Sequence, residues 1–349
     1  MKSKTKLFGG LIAVAAIVGI CLTAVSSLRG QMEKTLSSAC GRPVRIQYAQ
    51  FVLPLAIRLI GLEVPALRGE DRTPLRIDAI ETRLSSSAWG QGQPGGEVEV
   101  IHPQLYIEWT REQKMLAEVR GSPIKADFGI PIAQARISDG EITWIDRLTV
   151  PNVFWNLRAV SFMIRPGPRS QEQEFVLSGR LDDRNGRPLG TVEARGTSFP
   201  GGPIDAGVQL SYGNLAELAP YLRKVLGTAP SQGAVKVETK LTFHQGVLMA
   251  HNDLTATGVL FSDSQPTTLG PDGNRLVELL KDREGKIHLS FIVAGKPGEK
   301  MNWSDLAAGA MTEAMRQAMS RSIQQVLTDT EQNKPVEELM RNKFDTLDR

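Results

Sequence analysis

Apolar and polar residues alternate along most of the chain, a period of two that sends successive side chains to opposite faces of a strand. Val44, Ile46 and Tyr48 open the series, and Ile57 and Leu59 carry it to Gly61. Beyond Gly61 the apolar side continues on the other parity through Leu62 and Val64, which predicts a β-bulge hosted by Gly61. Leu75 to Leu84 and Leu105, Ile107 and Trp109 predict further strands, the latter after His102-Pro103. Ile130 to Ile137, the turn Asp139-Gly140, and Ile142 with Trp144 predict a hairpin. Val160 to Ile164 and Phe175 to Leu181 follow, and Asn185-Gly186 supplies the positive φ angles of a tight turn. The cleanest alternation lies later, in Ile204 to Tyr212, in Val235, Val237, Thr239, Leu241 and Phe243, and in Ile287, Leu289, Phe291 and Val293. Gln245-Gly246 predicts a turn into Val247 to Met249 and then Leu254 to Phe261. About a dozen strands result.

Helical spacing is confined to a few places. Gln31 to Ala39 predicts a helix ended by Gly41-Arg42-Pro43. Asn214 caps a short helix near 214–226, with Glu217 in its first turn, Pro220 forcing a kink or fresh start and Gly227 ending it. Ser304 predicts the N-cap of a longer amphipathic helix bearing Leu306, Met311, Met315, Met319, Ile323 and Leu327.

Leu7 to Leu28 carries no charge and spans about 33 Å as a helix, enough for a hydrocarbon core of about 30 Å. Lys2, Lys4 and Lys6 before it, against Arg29 after it, put the N-terminus in the cytoplasm and the rest on the far side. Ala24-Val25-Ser26 has the small-x-small form of a signal cleavage site, but the apolar run exceeds the length of a signal core, so a retained anchor is the reading adopted. With 349 residues and 41% hydrophobic content the chain can bury a core, and 33 glycines, 20 prolines and 6% aromatics fit short strands and turns. Lys and Arg number 41 against 38 Asp and Glu, and this dispersed net charge of +3 gives no nucleic-acid footprint. Cys21 within the apolar run and Cys40 after it do not suit a disulfide or a lipidation site.

No catalytic constellation emerges. Gly90-Gln91-Gly92-Gln93-Pro94-Gly95 has the letters of a dinucleotide-binding loop but contains Pro94 and runs into the strand-like Glu97 to Val100, so it reads as a turn. Asp182 and Asp183 lack calcium-loop spacing, Arg184 standing where a ligand is needed. His102, His244, His251 and His288 lack metal-ligand spacing, and Gly196 to Pro200 lacks the closing glycine of a nucleophile elbow. The chain is read as a non-enzyme without cofactor or metal.

The final stretch combines Leu276 to Leu280, the charged turn Lys281-Asp282-Arg283-Glu284-Gly285, the strand Lys286 to Ala294 and the closing helix. The string LLKDREGKI, an alternating strand, then AG and an amphipathic helix resemble the C-terminal signature of the AsmA-like proteins of Gram-negative envelopes, closest to the branch known mainly as a domain of unknown function. GRPVRIQYAQFVLPLAIRLIGLEV, IDAIETRLS, IHPQLYIEWTREQ, QARISDGEITWID and NLAELAPYLRKVLGTAPSQGAVKVETKLTF occur in the order that family uses. The resemblance covers about Leu7 to Ala318, in a chain shorter than the family pattern. It implies a single-pass inner-membrane protein with its bulk in the periplasm: a tail 1–6, an anchor 7–28, a helical lead-out 29–42, a β-rich domain 43–300, a helix 304–328 and a polar tail 329–349.

The implied fold is mainly β with an N-terminal transmembrane helix, its elongated curved antiparallel sheet forming a groove similar to that of bridge-like lipid-transfer proteins. A closed β-sandwich is the alternative, because two packed sheets show the same alternation. The implied function is binding or conduction of phospholipid or other acyl chains in support of outer-membrane biogenesis. Val235, Val237, Leu241, Phe243, Ile287, Leu289, Phe291 and Val293 are the candidate lining residues. Leu279, Leu280, Lys281, Asp282 and Gly285 are read as a structural motif. A scaffold for outer-membrane proteins is the alternative function, with Met311, Met315, Met319 and Ile323 docking an envelope protein partner.

Overall fold

The computed structural model describes residues 27–38, 40–52, 56–66, 72–85, 95–109, 132–169, 171–199, 202–262, 266–296 and 303–333. Twelve strands form one mixed, unclosed sheet in sequence order. They are β1 (Arg45–Val52), β2 (Ala56–Val64), β3 (Leu75–Ser85), β4 (Gly95–Trp109), β5 (Ile132–Asp146), β6 (Val153–Pro166), β7 (Gln173–Asp182), β8 (Pro188–Ser198), β9 (Ile204–Tyr212), β10 (Pro230–His244), β11 (Val247–Phe261) and β12 (Ile287–Gly295). A pair of packed sheets is therefore not the arrangement. β4 and β5 run parallel, whereas the other described registers are antiparallel. A parallel pair needs a long crossover, which here falls in 110–131, outside the described residues. The anchor assigned to Leu7–Leu28 and the glycine-rich stretch from Gly90 also lie almost wholly outside them. No described helix is long and apolar enough to cross a membrane.

The chain divides into two compact units, Met1–Leu148 with Phe154–Arg187, and Thr149–Val153 with Pro188–Arg349. In the first, helix α1 (residues 27–38) leads into β1. Met32, Leu36 and Cys40 pack on a buried cluster of Val44, Ile46, Ala49, Leu59, Leu62, Val64 and Ile77. The helix also serves the strand edge: Val44 N donates to Ser37 Oγ at 2.8 Å and Ile46 N donates to Glu33 Oε1 at 2.8 Å. These bonds satisfy edge amides that have no strand partner. Burial pushes the Cys40 thiol pKa up, which disfavours its reactive thiolate.

Parity reverses at Gly61 as expected, since Leu59 and Leu62 are both buried in one cluster. The extra residue of a bulge is absent, because Leu59 pairs with Ala49 and Leu62 with Ile46 in one unbroken register. Gly61 instead takes φ +66°, and a Cβ there would meet Gln47 Oε1 at 2.5 Å. His102 (φ 49°) and Asp139 (φ 55°) hold comparable places in β4 and β5. Asp139-Gly140 is consequently no hairpin turn. β5 runs straight through it, paired with β4 on both sides, Ser138 with Ile101 and Glu141 with Gln104. A single left-handed residue redirects side chains without ending a strand when its neighbours keep their ladder bonds.

In the second unit, β9 leads into a 3-10 turn, Leu215–Leu218, capped by Asn214, whose side chain accepts from Ala216 N. Helix α2 (Ala219–Leu226) then starts afresh with Pro220 in its first turn and ends at Gly227, φ 77°. β10 and β11 join through Gln245 (φ 51°) and Gly246 (φ 78°), both positive as a tight hairpin requires. Leu276 to Leu280, the apolar segment before the charged turn, belong to helix α3 (Gly273–Leu280), capped by Asp272, which accepts from Arg275 N at 3.0 Å. Leu276 and Val277 are the buried stripe of that helix, and a short apolar run alone does not distinguish helix from strand. Helix α4 (Trp303–Asn333) packs against β12, α3 and α2.

Candidate functional site: an apolar face across the last five strands

Strands β8 to β12 place their inward residues in transverse rows. Gly190, Tyr212, Val235, Ala256 and Ile287 form the first. Val192, Leu210, Val237, Leu254 and Leu289 form the second, and Ala194, Val208, Thr239, Asn252 and Phe291 the third. Gly196, Ala206, Leu241, Ala250 and Val293 make the fourth, with Ser198, Ile204, Phe243 and Leu248 beyond. The eight residues picked out by alternation therefore share one face. The face also contains Leu210, Tyr212, Leu254 and Ala256, which the sequence reading placed in strands without assigning them to it. Their parity was visible, but only the register shows which strand residues stand side by side.

The polar break in the third row is internally satisfied. Thr239 Oγ1 donates to Asn252 Oδ1 at 2.8 Å, and Asn252 Nδ2 donates to the carbonyls of Ala250 at 3.0 Å and Phe291 at 3.4 Å. Every donor of the pair is thus engaged and Asn252 is 9% exposed, so the break offers a ligand little polar surface.

Cover divides the eight residues. Val235, Ile287, Leu289 and Val293 are buried, whereas Val237, Leu241, Phe243 and Phe291 are half-buried. Val235, Ile287 and Leu289 lie beneath the helices, around a cavity of about 90 Å³ whose walls also include Leu226, Phe261, Leu276, Met311 and Met315, whereas Val293 is buried in the fourth row, away from that wall. On α4, Met315 is only 5% exposed, Met311 lines the cavity and Met319 is half-buried, whereas Ile323 is 45% exposed. Met315 cannot meet a partner unless α4 moves.

The turn between α3 and β12 is built by backbone bonds. Asp282 Oδ1 accepts from Glu284 N at 2.8 Å and Lys286 N at 2.9 Å, and Gly285 takes φ 75°. His288 Nε2 lies 3.1 Å from Asp282 Oδ2. The Lys286 amide, followed by the Glu284 amide and His288, holds the Asp282 carboxyl below its ordinary pKa, against a smaller opposing effect of burial. Lys281 bridges to Ile287 and its Nζ meets Glu278 Oε1 at 2.7 Å, while Leu280 joins the cavity wall and Leu279 is half-buried.

A twin of this turn follows β7. Asp183 Oδ1 accepts from Asn185 N at 2.7 Å and Arg187 N at 2.8 Å, with Gly186 at φ 78°. The repeated string Asp-Arg-x-Gly-basic, at Asp183 and again at Asp282, was the sequence signal for it. Among the described residues no group of three or more His, Cys, Asp or Glu is placed to hold a metal ion. The chain matches no known family model and no curated protein.

Proposed function

We propose that this chain is an AsmA-like envelope protein, anchored in the inner membrane, that holds lipid acyl chains against the apolar face of β8 to β12. One observation carries the reading: five rows, apolar but for Ser198 and the bonded pair Thr239 and Asn252, run across five strands, with Tyr212, Val235, Ala256 and Ile287 of the first row buried while Val237, Leu241, Phe243 and Phe291 beyond it stay half-buried. An acyl chain needs a continuous track without unmet polar groups, and five strands about 4.8 Å apart give a track about 20 Å across. The internally bonded Thr239 and Asn252 keep that track free of unpaired polar atoms. A β-groove open to phospholipid fits the single unclosed sheet and supports a role in outer-membrane biogenesis.

The test is mass spectrometry of lipids that copurify with the full chain, followed by exchange with labelled phospholipid. Copurified, exchangeable lipid is expected, with loss of exchange in Leu241→Asp and Phe243→Asp. Absence of lipid from folded protein overturns the reading. A scaffold for outer-membrane proteins is the alternative, docking through α4. It has less support because Met311 and Met315 are engaged at the cavity, leaving Ile323 as the exposed apolar candidate.

A further inference from the structure

In the first unit, the end of β1 is apolar and exposed without any evident packing role. Tyr48 is 66% exposed, Phe51 58% and Val52 39%, and the strand carries no charged residue after Arg45. Tyr48 and Val52 point to one face of the sheet and Phe51 to the other, by the alternation of a strand. Apolar side chains are thus exposed on both faces of the tip, as suits a surrounding apolar medium.

The direction of the strand identifies that medium. Ser37 bonds Val44, Glu33 bonds Ile46, and Arg29 Nη1 lies 3.5 Å from Gln47 O. Residue numbers fall along α1 as they rise along β1, so the two elements are antiparallel. From Gln47 to Val52 the strand advances about 17 Å past the contact with Arg29. It advances toward the end of α1 where the uncharged stretch Leu7–Leu28 joins the helix. Aromatic side chains with a polar tip, such as Tyr48, are favoured at the headgroup level of a bilayer.

We infer that the tip of β1, through Tyr48, Phe51 and Val52, dips into the interface of the same bilayer that holds the N-terminal segment. This rests on the reading of Leu7–Leu28 as a membrane span, and it is independent of lipid binding on the β8 to β12 face. A second contact fixes the tilt of the first unit over the membrane, which a lone span joined through one helix does not.

The test uses the full chain carrying Cys21→Ser and Cys40→Ala, with an environment-sensitive fluorophore on Phe51→Cys, Val52→Cys or, as a water-facing reference, Val176→Cys. Val176 is 48% exposed. Each protein is reconstituted into vesicles of phosphatidylethanolamine and phosphatidylglycerol. Blue-shifted emission, quenching by shallow spin-labelled lipid and loss of iodide quenching are expected at positions 51 and 52, with the opposite at 176. Iodide quenching at 51 and 52 equal to that at 176, in protein that resists carbonate extraction, overturns the inference while leaving the span in place. Extraction by carbonate removes the span reading and the inference with it. Shielding from both quenchers together with crosslinking between copies assigns the tip to a copy interface and also overturns it.

Discussion

The first unit and the second use the same alternation of apolar and polar residues, yet bury it differently. Around β1 to β3, helix α1 lies over the apolar side, and Ile46, Leu59 and Leu62 are 3%, 2% and 4% exposed. Across β8 to β12 cover is partial: Val235, Ile287 and Leu289 lie beneath the helices, and Val237, Leu241, Phe243 and Phe291 remain half-buried. The strands do not differ in kind. What separates a core from a surface available to a ligand is whether an amphipathic helix lies over it.

This contrast can be broken most forcefully in the first unit. Leu59→Ala should cost about 3 kcal/mol, because helix, sheet and cavity terms all act at a fully packed site. Urea unfolding of the full chain measures it, and a loss close to that of a surface substitution would remove the distinction between the units. Phe243→Ala, in the half-buried face, should cost only about 1 kcal/mol while abolishing most lipid exchange. If it destabilised as much as Leu59→Ala, the face would be an ordinary core.

Charge burial sharpens the comparison further. Asp182 is fully buried in β7 and receives two bonds from Arg180, at 2.8 and 3.0 Å, with Arg158 Nε at 3.8 Å. Arg158 and Arg180 are direct cross-strand partners, so the carboxylate separates two like charges. Asp182→Asn should destabilise the first unit by about 2 kcal/mol. Equilibrium unfolding followed by a probe in each unit checks that the loss is confined there.

The twin turns supply the finest comparison. Gly186 and Gly285 share a positive φ, and a Cβ at Gly285 would meet nothing within 4 Å. Gly186→Ala and Gly285→Ala should therefore cost the same, about 1 kcal/mol, through backbone strain alone. A smaller effect comes from Asp282. Its folded pKa is depressed by the Lys286 and Glu284 amides, so its contribution is complete above the ordinary carboxylate range and is lost as pH falls through the depressed value. Asp282→Asn should flatten that acid-side dependence in urea midpoints measured across an acidic pH series, leaving stability at neutral pH less affected.

Most strands could be read from alternation, and Asn185-Gly186 and Gln245-Gly246 were legible as turns, although only Gly186 of the first pair takes the positive φ expected of both, whereas Gln245 and Gly246 both do. Asp139-Gly140 misled because a left-handed residue serves a turn or a kink equally, and the partner strand decides which. The eight face residues were legible as alternating positions, but Leu210 and Leu254 joined them only through pairing across β9, β10 and β11. The helical state of Leu276 to Leu280 was hidden because five apolar and charged residues fit either period.

By itself the sequence determined two-sided strands, the glycine-dependent turns, the existence of the long closing helix, though Ser304 lies inside it and does not cap it, and an apolar N-terminal stretch, all of which follow from local sterics and side-chain period. Only the tertiary structure decided that the twelve strands form one sheet, that α1 closes the apolar side of β1 to β3, and that α3 and α4 bury Val235, Ile287 and Leu289 but leave Leu241 and Phe243 half-buried. Those outcomes depend on contacts between residues far apart in the chain, and alternation carries no information about which partner covers a face.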